Sequence, residues 1–146
     1  MNGERLLSRW TSAIGMCAVA VFLSGSRAIA QTEKTLYNFN VISVPGGTSP
    51  TSGVILDSGG NLYGTTELGG SGDGEWCGIL NGCGVAFELS PQSDGSWTER
   101  VLHSFGSGAD GANPDGGLSF DGAGNLYGTT YNGGTFGSGT VFEITP

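Results

Sequence analysis

Positive charge is nearly absent from this chain once its first thirty residues are set aside. The 146 residues carry 5 Lys+Arg against 13 Asp+Glu. Residues 1–30 hold Arg5, Arg9, Arg27 and Glu4, so 5 − 3 leaves two basic residues, Lys34 and Arg100, and 13 − 1 leaves 12 acidic ones. The net charge of residues 31–146 is therefore −10. Such a surface repels phosphate backbones and anionic headgroups, and no basic stripe remains to follow a nucleic acid. The apolar stretch Ala13–Leu23, broken by Gly15, falls well short of the ~20 residues that a membrane-spanning helix needs. Histidine is represented once, by His103, and cysteine three times. Two of the cysteines, Cys77 and Cys83, share one short segment with no histidine or further cysteine nearby, too few ligands for a zinc site.

The N-terminus reads as an export signal. Arg5 and Arg9 give a positive start, Ala13–Leu23 an apolar centre, and Ala28-Ile29-Ala30 a small-x-small site with cleavage between Ala30 and Gln31. Residues 1–30 are thus expected to be removed, leaving a secreted, periplasmic or cell-surface bacterial protein of residues 31–146. In that oxidising setting Cys77 and Cys83 are expected to form a local disulfide.

Glycine is what the chain has in abundance, 29 residues in all, of which 26 lie beyond residue 30. Apolar and aromatic residues are too well represented for a disordered chain. The combination fits short strands joined by tight turns, where glycine supplies positive φ without steric cost.

A repeat organises all of this. Asn61-Leu62-Tyr63-Gly64-Thr65-Thr66 recurs identically as Asn125-Leu126-Tyr127-Gly128-Thr129-Thr130. At the same offset Pro50, Gly53, Asp57 and Gly69-Gly70 match Pro114, Gly117, Asp121 and Gly133-Gly134. Further on, Gly82-x-Gly84-x-x-Phe87-Glu88-Leu89-Ser90-Pro91 matches Gly137-x-Gly139-x-x-Phe142-Glu143-Ile144-Thr145-Pro146. Upstream, Leu36-Tyr37-Asn38-Phe39 matches Leu102-His103-Ser104-Phe105. Copy one covers about 33–91 and copy two about 97–146, and copy one carries a cysteine-bearing insertion at 71–81.

Each copy reads as four strands. The first is Gly53–Asp57 or Gly117–Asp121, followed by an Asp/Gly/Asn turn and the Leu-Tyr-Gly-Thr-Thr strand. A Gly-Gly turn leads to a third strand, Gly84–Leu89 or Gly139–Ile144. The fourth is Trp97–Phe105, with Trp97, Glu99, Val101, His103 and Phe105 on one face at period two. Its counterpart at the N-terminus is Thr35–Phe39. Four short antiparallel strands per repeat predict an all-β chain of two propeller-blade-like units, a partial or open β-propeller. Two blades cannot close a ring, since propellers use ~4–8. A piece of a longer repeat protein is therefore expected, with self-association through open blade edges, or an open pair of sheets, as the alternatives.

These residues resemble the GloVer tandem repeat of exported bacterial proteins. Copy two matches its pattern through Pro114, Gly117, Gly124–Thr130, Gly133, Gly134, Gly139, Val141, Phe142, Ile144 and Pro146. Copy one departs at Ala86, where the family prefers Val, and in its insertion. The resemblance covers nearly all of residues 31–146. It implies a β-propeller-like repeat protein, often joined to a sorting or anchoring tail, and it implies no activity.

Candidate chemistry is sparse. His103 stands where copy one has Tyr37, so the repeat treats the position as aromatic strand packing, and no serine or cysteine has another base to activate it. No catalytic or cofactor-binding residue is expected. The loop Ser107–Gly116 places Asp110, Asn113 and Asp115 among glycines, an oxygen-rich set with weak calcium character. Its spacing fits neither the EF-hand nor the nonapeptide calcium repeat. Gly82-x-Gly84 and Gly137-x-Gly139 lack the strand-to-helix setting of a nucleotide loop. Trp76, Trp97, Tyr131 and Phe136 are aromatics that can stack on sugar rings or pack within strands.

The reading is therefore a non-enzymatic extracellular binding or scaffold module, with a surface glycan or a protein as partner. A propeller-type enzyme on a lactone or glycan, active only when assembled, and a calcium-stabilised surface module are the alternatives.

Overall fold

A computed structural model describes residues 31–40, 46–77, 82–106 and 109–146. The expected export signal, with Ala30, lies outside them, as do Ser107 and Gly108 of the acidic loop and the end of the insertion. Residues Lys34–Pro146 form one compact unit. Its regular structure is entirely β, with no helix among the described residues.

The larger sheet contains β2 (Ile55–Leu56), β3 (Leu62–Thr66), β5 (Val85–Pro91) and β6 (Trp97–Ser104), antiparallel in that order. The smaller contains β8 (Ser119–Phe120), β9 (Leu126–Thr130) and β11 (Thr140–Ile144), again antiparallel and in that order. β8, β9 and β11 are the repeat equivalents of β2, β3 and β5. Beside each sheet lies a two-residue ladder: β1 (Gly47–Thr48) with β4 (Leu68–Gly69), and β7 (Gly111–Ala112) with β10 (Asn132–Gly133). These ladders are too short for periodicity to reveal, and they occupy what the sequence suggested were plain Gly-Gly turns. The first strands are also shorter than expected, because only two residues of each pair with β3 or β9.

Side-chain alternation decides what each face of the larger sheet meets. Val85, Phe87 and Leu89 of β5 are buried on one face with Leu62, Trp97 and Val101. Tyr37 and Phe39 cover that face: the Phe39 ring lies 5.1 Å from Phe87, edge-on, and Tyr37 stands 5.1 Å from Phe39. On the opposite face Ala86 packs with Phe105, Cys83 and Ala112, and with Phe142 and Ile144 of copy two. Tyr63 joins Leu118, Leu126 and Phe120 across the same seam, with the Tyr63 and Phe120 rings 5.2 Å apart. The order is therefore N-terminal segment, first sheet, second sheet, stacked face to face.

Two expectations about the outer strand are corrected. Residues 31–40 contain no strand. Both edges of β5 are taken, by β3 and β6, so Thr35–Phe39 lies against the face of the sheet instead of its edge. Within β6 the period-two face is broken. A bulge between Ala86 and Phe87 makes His103 pair with Ala86 and Val101 with Phe87, leaving Leu102 as the extra residue. Trp97, Glu99 and Val101 thus face the N-terminal segment, while Leu102, His103 and Phe105 turn toward copy two. The bulge lets one strand serve both faces.

Glycine is obligatory where the aromatic of β5 or β11 crosses the central strand. A Cβ on Gly64 would meet Phe87 Cζ at 2.7 Å, and one on Gly128 would meet the Phe142 ring. Gly64→Ala is expected to destabilise the chain by about 1–3 kcal/mol through overpacking of a fully buried phenylalanine. A urea unfolding midpoint equal to that of the parent would show that Phe87 yields freely.

Candidate functional site

The residues shared by the two copies are accounted for by the fold. Asp57 Oδ1 accepts hydrogen bonds from the Gly59 and Asn61 amides at 2.8 Å. Its Oδ2 accepts from Asn61 Nδ2 at 2.9 Å and from the Tyr63 hydroxyl at 3.2 Å. Asp121 repeats the pattern with the Ala123 and Asn125 amides, Asn125 Nδ2 and the Tyr127 hydroxyl. The Asn side chain, then the Asn amide, hold both carboxyls below the usual aspartate range. Thr66 Oγ1 donates to Leu68 O and accepts from the Val85 amide, and Thr130 does the same with Asn132 O and the Thr140 amide. Leu62 and Leu126 are core residues, and Thr65 donates across the seam to Gly116 O at 3.2 Å. Asn61 through Thr66 and Asn125 through Thr130 are thus a turn, a strand and a seam.

Function is then to be sought where the copies differ. A cleft of about 320 Å3 is lined by Glu67, Asn113, Asp115, Tyr131 and Asn132. Their repeat equivalents are Tyr131, Ser49, Thr51, Glu67 and Leu68, so every lining position has diverged. Glu67 and Tyr131 occupy the same repeat position, and the cleft brings them together from the two copies. It lies at the seam: Asn113 Nδ2 donates to Glu67 O at 3.2 Å, and Asn132 Nδ2 donates to Asn113 Oδ1 at 3.1 Å. Asn113 has φ of 56°, the same left-handed conformation as Ser49 at 61°. There it leads into the fully buried Pro114 and keeps its amide at the cleft wall. The Tyr131 ring is 74% exposed, an apolar plate standing beside two carboxylates and two amides. Glu67 and Asn132 escaped the sequence reading; the one signal available was their mismatch with Tyr131 and Leu68 in an otherwise faithful repeat.

The candidate calcium residues divide. Asn113 and Asp115 line the cleft, whereas Asp110 Oδ2 lies 2.7 Å from His103 Nε2 and its Oδ1 accepts from the Gly111 amide. Among the described residues no cluster of three or more His, Cys, Asp or Glu is placed to hold a metal. His103 itself sits edge-on to Phe105, with ring centroids 4.7 Å apart. Of the other aromatics, Trp97 is half-buried against the first sheet and Phe136 is exposed.

Cys77 and Cys83 are joined as a disulfide. Cys83 is buried in the seam, its carbonyl accepting from the Asn113 amide at 2.7 Å. Trp76 reaches from the insertion to Gly137 of copy two. Trp76 thus bridges the seam from copy one to copy two. Among the described residues no helix is long and apolar enough to cross a membrane. The disulfide is compatible with an extracellular location.

The model of the Gloeobacter/Verrucomicrobia repeat matches residues 25–146. The chain belongs to that repeat family. No curated protein and no solved structure matches it. Family membership and the all-β blades agree with the GloVer resemblance, and the residues that carry it are the turn, strand and seam positions described above.

The two aspartate turns have a consequence in acid. Both carboxyls titrate below their ordinary value near 3.8. Their contribution to stability is complete above that value and is lost as the pH falls through the lower folded-state value. Replacing Asp57 and Asp121 together by Asn is expected to lower the unfolding midpoint near neutral pH and to flatten its decline below pH ~4. An acid profile as steep as the parent's would place the acid sensitivity elsewhere.

Proposed function

We infer that this repeat protein is an exported binding module that takes a neutral, polyhydroxylated ligand, a glycan, into the seam cleft and does not transform it. The observation that carries this reading is the exposed Tyr131 ring set beside Glu67, Asn113, Asp115 and Asn132, all at positions where the repeat has diverged. An aromatic plate offers stacking to the C–H face of a sugar, and amides and carboxylates offer acceptors and donors to its hydroxyls. The net charge of residues 31–146 disfavours anionic ligands. His103 pairs through Nε2 with Asp110, packs edge-on against Phe105 and is not among the residues that line the cleft. A calcium-stabilised module has less support, because Asp110 would have to leave His103 and the Gly111 amide to join Asn113 and Asp115.

Calorimetric titration with a panel of neutral oligosaccharides tests the proposal. At least one is expected to bind and to be recovered intact. Tyr131→Ala is expected to weaken that binding about tenfold, the equivalent of ~1.4 kcal/mol, without lowering the melting temperature of an exposed position. Absence of binding across the panel, or equal binding by the variant, would refute the reading.

A further inference from the structure

The described residues contain one seam between the two sheets and, at the N-terminus, part of the same arrangement. In the complete seam, β6 does two things at once. Its backbone edge pairs with β5, and Phe105, the residue just after it, packs on Phe142 of the next sheet with ring centroids 4.8 Å apart. The N-terminal segment repeats the second half of this arrangement. Tyr37 and Phe39 are the repeat equivalents of His103 and Phe105, and Phe39 packs on Phe87, the equivalent of Phe142. The likeness extends further upstream than the aromatic positions: Thr32-Glu33-Lys34 matches Thr98-Glu99-Arg100. Tyr37 and Phe39 thus occupy, on the first sheet, the place that His103 and Phe105 occupy on the second.

β11 supplies the missing edge. β5 has β6 along its outer edge, whereas among the described residues β11 pairs with β9 alone. The difference in burial between the equivalent strands is large. Ala86 is 0% exposed and its equivalent Val141 is 78% exposed; Glu88 is buried and Glu143 is exposed. The opposite end of the stack is open too. Val54 and Leu56 are 52% and 63% exposed, although their equivalents Leu118 and Phe120 are seam residues packed on Tyr63.

We propose that the edge of β11 is an interaction surface for residues 31–39 of a second copy of this chain, so that copies join head to tail through a repetition of the internal seam. The N-terminal segment need not leave its own sheet, because its Phe39 contact and its backbone edge point to different neighbours, as they do in β6. Transferring the β5–β6 register by the repeat pairs Tyr37 with Val141, Thr35 with Phe142 and Lys34 with Glu143, with Leu36 as the bulge residue. The charges agree with this register. Arg100 bonds Glu88 in the complete seam, and Lys34 and Glu143 are the same pair in the repeat. Leu56 of the second copy then meets Tyr127 of the first, as Phe120 meets Tyr63. Such an interface is heterologous, so it generates a ring when the rotation closes. Two to four copies would give a propeller of ~4–8 blades. The inference concerns assembly and holds whatever ligand the cleft takes.

Multi-angle light scattering of the purified chain over a range of concentrations, at low ionic strength, tests it together with three variants. The parent is expected to run at two to four times the monomer mass, within the ~4–8 blades of known propellers. Lys34→Glu and Glu143→Lys are each expected to weaken assembly about tenfold, since a cross-strand attraction becomes a repulsion. The chain carrying both changes is expected to recover the parent's mass. Leu56→Asp, at a position exposed in the single chain, is expected to dissociate the assembly without lowering the monomer's melting temperature. A parent that stays monomeric at every concentration would overturn the proposal, as would an assembly indifferent to both single reversals. A monomer whose melting temperature, in place of its mass, follows the charge swap would put the chain's own segment on β11 and overturn it equally.

Discussion

The structure depends on one contact made twice: a phenylalanine from an outer segment, Phe39 or Phe105, set against the phenylalanine at the centre of a sheet, Phe87 or Phe142. Phe39 on Phe87 and Phe105 on Phe142 fix the spacing between layers. Several features of the repeat follow from accommodating those rings. The central phenylalanine crosses its neighbouring strand at Gly64 or Gly128, where no side chain fits. The outer strand must present its aromatic inward while its first half packs on the opposite face, and the bulge at Leu102 achieves the switch. A fully buried aromatic contributes about 1.5–3 kcal/mol by burial alone. Two such contacts are a substantial part of the stability of a chain this small.

Around this stack the repeat divides its labour. Positions held in common make turns, ladders and seams, and they would be needed whatever the module did. Positions that differ between copies add something else, and five residues from four such positions converge on one cleft. The same repeat position supplies a carboxylate from copy one and an aromatic ring from copy two, Glu67 and Tyr131. Duplication thus gives a pseudo-symmetric scaffold, and divergence at the seam gives an asymmetric site. Trp76 of the insertion reaches Gly137 across the same seam, and the disulfide ties the neighbouring Cys77 to Cys83, which is buried there.

Much of the architecture was legible because the repeat encodes it with unusual redundancy. The Leu-Tyr-Gly-Thr-Thr strands, the Asp and Asn turns and the antiparallel order follow from residues that occur twice, in the same order. The outer strand was harder. A bulge inserts one residue into a period-two pattern, so the alternation read from Trp97 to Phe105 assigned His103 and Phe105 to the wrong face. The N-terminal segment resembles a strand in sequence, yet a strand exists only where a neighbouring edge is open. The edges of β5 were closed by β3 and β6, which one sequence pattern cannot show. The cleft was legible only in part. Asn113, Asp115 and Tyr131 drew notice by type, whereas Glu67 and Asn132 were ordinary polar residues until the seam brought them together.

The central claim is that the contact of the N-terminal segment with the first sheet is the same seam as that of β6 with the second. Double-mutant cycles on the two aromatic pairs test it most directly. Unfolding free energies of the Phe39→Leu, Phe87→Leu and doubly substituted chains give one coupling energy, and the corresponding Phe105 and Phe142 variants give the other. The two couplings are expected to agree, each about 0.5–1.5 kcal/mol beyond the loss of buried area. A coupling near zero for Phe39 with Phe87, beside a normal value for Phe105 with Phe142, would contradict the account.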